Sequence, residues 1–219
     1  MKNILIIGSG MDVLDKKRGE QINQLFDNIM IIKYQLYFLD EFKEYIGNPN
    51  MLVAPGLEFK KYSYRECLNS EEEKLAWDKW YDETELKNKR QRIYDCIKHS
   101  SIREIWRNAN DYERSMFYDF KQVRNLHHKV VKVKPIKYAK SSTVGMTAIY
   151  QALEHNYKVY YMGFDSGYKG THYYHNLEDT FVPYKKPVIQ EPDQYFELGL
   201  LRKKKLVTHV DKLINKIAK

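Results

Sequence analysis

Ile4-Leu5-Ile6-Ile7-Gly8-Ser9-Gly10 is the stretch on which the fold turns. Four consecutive apolar residues closing on a glycine pair read as a buried parallel strand feeding a tight turn. Similar runs follow at Asn28 to Tyr34, at Met51-Leu52-Val53-Ala54 before Pro55-Gly56, at Val130 to Ile136, and at Lys158 to Met162 before Gly163. Between them lie helical patterns over residues 16–25, from Tyr37 to Tyr45, and from about Thr143 to His155. The second is stopped by Gly47-Asn48-Pro49, and the third is capped by Ser142 and carries Ala148, Ile149, Ala152 and Leu153 on one face. The tail, from about Pro192 to Ile217, reads as helix with Leu206, Val210, Leu213 and Ile217 along one side. Strands alternating with helices predict a single α/β domain over residues 1–219, a Rossmann-like, mostly parallel sheet flanked by helices. Residues 59–126 break that rhythm. They are charged and aromatic, contain no glycine and show no convincing strand, so they are expected to form a helical lid insertion.

The chain has 219 residues, enough for one substantial core. Its 19 tyrosines offer stacking faces with hydroxyls, which suit bases, sugars and phosphates; an A/T-rich coding sequence would also enrich tyrosine. A net charge of +8 favours anionic partners, although the basic clusters are dispersed along the chain. Cys67 and Cys96 have neither metal spacing nor the number for a disulfide framework, which fits reduced thiols of a cytoplasmic protein. No apolar run is long enough for a signal peptide or a membrane span.

Ligands of parallel sheets bind beyond the carboxyl ends of the strands. Gly8-Ser9-Gly10, Gln35, Ala54-Pro55, Ser141 to Gly145, and Gly163 through Asp165 all fall at such ends. Glycine admits close approach of backbone to a phosphate, but the first turn lacks the third glycine of a dinucleotide fingerprint and the lysine of a P-loop. Ser141-Ser142-Thr143 opening a helix places hydroxyls beside unsatisfied amides, which forms an anion site; a plain N-cap accounts for one of the three. His172 and His175 follow Gly167-Tyr168-Lys169-Gly170 in the loop past the fifth strand. A histidine there suits a general base, with His172 the first choice and His175 in reserve. No carboxylate cluster suggests a metal, and no cofactor is expected beyond a nucleotide-linked co-substrate.

Taken together, these motifs resemble the sialyltransferases, both animal and compact bacterial. The glycine turn is similar to Gly8-Ser9-Gly10, with Ser9 where asparagine usually stands. Gly19-Glu20-Gln21-Ile22, Phe26-Asp27 and Ile31-Ile32-Lys33-Tyr34-Gln35 resemble the rest of that first motif, and Lys33 and Gln35 hold its arginine and asparagine positions. Ser142-Thr143-Val144-Gly145 through Met162-Gly163-Phe164-Asp165 resembles the second motif, and His172-Tyr173-Tyr174 the third. Of the fourth, Glu197 holds the glutamate place and Pro192 stands at the histidine. The resemblance covers residues 4–54 and 130–200. It implies a GT-A-variant, Rossmann-like fold and a metal-independent, inverting glycosyltransferase with a nucleotide-sugar donor, CMP-sialic acid or another. It also implies roles: Ser142, Thr143 and Gly145 at the leaving phosphate, with Tyr168 and Tyr173 helping; Ser9 and Gln35 at the nucleotide; and His172 as base.

Three functions are therefore expected in order. The first is transfer to a glycan or lipid-linked sugar. The second is transfer to hydroxymethylated bases of DNA, as some phages practise. The third is nucleotide or nucleic-acid binding without catalysis.

Overall fold

The computed structural model describes residues 2–8, 10–32, 35–36, 39–53, 70–82, 95–108, 129–133, 144–164 and 191–217. Among the described residues seven strands form one sheet: β1 (Asn3–Ile7), β2 (Ile29–Ile32), β3 (Met51–Val53), β4 (Glu104–Asn108), β5 (Lys129–Val133), β6 (Lys158–Met162) and β7 (Val207–His209). The described helices are α1 (Gly19–Leu25), α2 (Lys43–Ile46), α3 (Glu71–Asp82), α4 (Val144–Glu154), α5 (Glu191–Lys203) and α6 (Val210–Ile217), with a 3-10 turn at Met11–Asp15 and a helical turn at residues 95–99. No helix among the described residues is long and apolar enough to cross a membrane.

The strand order is β5-β4-β3-β2-β1-β6-β7, and every neighbouring pair is parallel. This is the α/β, Rossmann-like arrangement expected from the alternation. The continuous apolar runs follow from burial on both faces. Leu5, Ile7, Ile29, Ile31, Tyr160 and Met162 face a core completed by α1, α2 and α6, whereas Ile4, Ile6, Met30, Ile32, Val159 and Tyr161 face α4 and α5. Asparagines stitch the amino ends together: Asn28 Nδ2 donates to Asn3 O (3.0 Å), and Asn50 Oδ1 accepts from Ile29 N–H (3.0 Å).

Two expectations need correction. Residues 59–126 are not helical throughout, because Glu104–Asn108 is an interior strand between β3 and β5 with Trp106 buried in the core. Its apolar content is only Ile105 and Trp106 between charged neighbours, too short for a recognisable period. Residues 71–82 and 95–99 are helical as expected, while 59–69, 83–94 and 109–126 lie outside the described residues. The tail is not one helix either. It divides into α5, β7 and α6, and Leu206 is 46% exposed rather than part of a buried stripe.

The division has a local cause that α4 shares. Each helix ends with a residue in the left-handed region, Asn156 and Lys205, both at φ 58°. Each is followed by a long closing bond, Tyr157 N–H to Ala152 O (2.9 Å) and Leu206 N–H to Leu201 O (3.0 Å), which turns the chain into β6 or β7. Asparagine tolerates that conformation; lysine pays about 1 kcal/mol for it. Lys205→Gly is therefore expected to raise stability by about 0.5–1 kcal/mol, read as a higher urea midpoint at unchanged slope.

Candidate functional site

The chain winds outward from β1 to β5, then returns through α4 to lay β6 on the other side of β1. The strand order reverses between β1 and β6, so a crevice forms beyond their carboxyl ends. The loops after β1 and β6 meet there. Gly8 N–H donates to Met162 O (2.8 Å) and Gly10 N–H to Gly163 O (2.8 Å). Gly163 sits at φ 75°, and a Cβ on Gly8 would lie 2.1 Å from Gly163 O. Both turn amides are occupied within the fold, so the glycines contribute closeness of backbone.

Gln35 is fully buried at the end of β2, and its Nε2 donates to Ile7 O (3.0 Å), which ties the β2 end to the β1 end. Gly145 lies in the first turn of α4, where a Cβ would come 2.7 Å from the Phe164 ring and 3.3 Å from Ile32 Cδ1. That contact holds the α4 N-terminus, with its partial positive charge, at the same edge. Gly8, Gly10, Gln35, Gly145 and Gly163 thus converge on one corner. Ser9, Lys33, Ser142, Thr143, Asp165, Tyr168, His172, Tyr173 and His175 lie outside the described residues.

Four polar residues that sequence reasoning missed brace this corner. Asp12 Oδ2 accepts from Gly163 N–H (3.1 Å) and lies 3.5 Å from His209 Nε2 at the end of β7. His209 Nδ1 accepts from Asp211 N–H (3.3 Å), capping α6, and its Nε2 faces Asp12. Arg18 is 4% exposed and grips Asp211 through Nε (2.7 Å) and Nη2 (3.2 Å). Its Nη1 donates to the carbonyls of Asp12, Val13 and Lys16 (3.3 Å each). Partial burial pushes the Asp211 carboxyl up, but the hydrogen bonds and charge of Arg18, with Lys16 adding, outweigh it and hold it below its ordinary range. The partners are nearly 200 residues apart in sequence, so no local motif marks them.

Glu197 is buried on α5, away from this network, and acts on Tyr150 of α4. Burial, then the Glu197 charge and hydrogen bond, push the Tyr150 phenol up. Among the described residues no group of three or more His, Cys, Asp or Glu side chains could hold a metal ion. The corner brings two tightly packed turns and the α4 N-terminus to one edge of the sheet. Comparison with known proteins finds no family model that matches the chain and no curated protein that matches it.

Proposed function

We propose that the chain is a metal-independent, inverting glycosyltransferase that binds a nucleotide-sugar at the corner between β1 and β6. The observation that carries this reading is the reversal of strand order there, with Gly8, Gly10, Gln35, Gly163 and the α4 N-terminus gathered at one edge. In this reading the nucleotide lies over the β1 and β2 ends, near Ser9, Lys33 and Gln35. The leaving phosphate is held by the first amides of α4 with Ser142, Thr143 and Gly145, which stabilise the charge that grows as the glycosidic bond breaks. His172, with His175 in reserve, takes the proton of the acceptor hydroxyl as its oxygen bonds to the anomeric carbon. Tyr168 and Tyr173 help hold the leaving phosphate, and Gly163 and Asp165 contribute to the nucleotide-sugar site. A second reading, transfer to modified bases of DNA, is favoured by the net charge of +8.

A thermal-shift series with CMP, UDP, GDP, dTDP and their sugars tests the binding step. One nucleotide at about 100 times its Kd is expected to add about 2.7 kcal/mol. At this chain length that is a rise in Tm of about 5–10 °C. His172→Ala is expected to keep the shift and lose transfer by about 100-fold or more. Absence of a shift with every nucleotide would sink the reading.

A further inference from the structure

We infer that the amino edge of the sheet at β1, β6 and β7, opposite the nucleotide corner, docks the phosphate backbone of nucleic acid. Three stretches far apart in sequence deliver cations to this edge. Lys2 precedes β1, Lys158 opens β6, and Arg202-Lys203-Lys204-Lys205 closes α5 just before β7. The strand register makes them neighbours: Asn3 pairs with Lys158, Val159 pairs with Val207, and Lys158 N–H donates to Lys2 O (2.9 Å). Adjacent strands are about 4.8 Å apart, so the three strand starts span about 10 Å.

All six side chains are exposed, and among the described residues none forms a salt bridge. Lys16, Lys17, Arg18 and Lys74 are matched by carboxylates; Lys43, Lys98, Arg103, Lys212 and Lys216 are exposed on other elements without a salt bridge among the described residues, but this edge gathers six such cations at three neighbouring strand starts. The exposed acids described nearby are Glu154 and Asp27. Six lysine and arginine groups in a short row suit a polyphosphate, each neutralised phosphate releasing condensed counterions. Leu200 and Leu206 are exposed beside the turn, but two leucines fall short of the continuous apolar face that insertion into an anionic bilayer takes.

This inference uses none of the residues assigned to the nucleotide-sugar, so either reading can fail alone. The test is fluorescence anisotropy of the full chain with a labelled duplex of about 20 base pairs across a salt series. The variant Lys158→Gln/Lys203→Gln/Lys204→Gln is compared with Lys43→Gln/Lys98→Gln/Lys212→Gln, which removes the same charge from exposed positions elsewhere. Both variants are first shown to keep the parental Tm. The edge variant is expected to bind at least about 10-fold more weakly and to flatten the slope of log K against log salt by about 2–3. The control is expected to change affinity less than about 3-fold. Equal losses in the two variants overturn the inference, as does no duplex binding at about 50 mM salt. Binding to phosphatidylserine vesicles without duplex binding also overturns it.

Discussion

Gly8→Ala is expected to destabilise the protein by about 4 kcal/mol and to abolish the proposed nucleotide binding at the corner. An added Cβ would sit 2.1 Å from Gly163 O, 2.8 Å from Gly163 C and 2.9 Å from Phe164 Cδ2. Two of these atoms are backbone, so no rotamer change relieves the clash. The loop after β6 has to retreat by more than 1 Å, and with it go the bonds Gly8 N–H to Met162 O and Gly10 N–H to Gly163 O. Overpacking costs about 1–3 kcal/mol and two backbone hydrogen bonds about 1 kcal/mol each. Against a total stability of about 5–15 kcal/mol this is a large fraction, visible as a lower urea midpoint. Gly199→Ala provides the contrast. Nothing lies within 4 Å of a Cβ there and the residue is in a helix, so that change is expected to stabilise by about 0.5–1 kcal/mol. If Gly8→Ala costs under 1 kcal/mol, the close junction of the two loops is not what holds the corner.

The contrast also shows what was legible in the sequence. Ile4 to Ile7, Ile29 to Ile32 and Lys158 to Met162 are strands because continuous apolar runs can be buried only on both faces of a sheet, and they were readable for that reason. The convergence of their carboxyl ends followed from parallel topology. What was not readable had no local period. Val207–His209 has three residues and Glu104–Asn108 has two apolar ones, and both join the sheet because neighbouring strands are there to pair with. Helix α4 ends at Asn156, a residue with a known taste for the left-handed turn, whereas α5 ends at Lys205, which carries no such signal. The glycine pair was legible as a turn, but its partner across the crevice, Gly163, became meaningful only once β6 was seen to lie beside β1. The bracing set of Asp12, Arg18, His209 and Asp211 is the extreme case, since its members meet only through the return of the chain end to the first strand.

That set carries the second large effect. Arg18→Met is expected to cost about 3–4 kcal/mol. The guanidinium is 4% exposed and the Asp211 carboxyl 24%, so removing the cation leaves a largely desolvated carboxylate and three backbone carbonyls without their donor. Asp211→Asn leaves the buried cation facing a neutral amide and is expected to cost a similar amount, while the double variant costs less than the sum, since each single change already breaks the pair. Lys16→Gln is expected to stay within about 0.5 kcal/mol, because that lysine is 60% exposed and its pair is screened. The pH dependence has a definite sign. The folded Asp211 pKa is lowered from 3.8, so the unfolded chain takes up its proton first as the solution is acidified. The contribution is complete above the unfolded value and is lost as pH falls from about 4 through the lower folded value. Urea midpoints measured from pH 6 down to pH 2 should therefore fall more steeply for the parent than for Asp211→Asn, and the two curves should converge in acid. Parallel curves would mean that the carboxylate is not charged against Arg18 in the folded state. In that case the clamp between the first loop and the last helix would rest on the arginine's hydrogen bonds to the carbonyls of residues 12, 13 and 16.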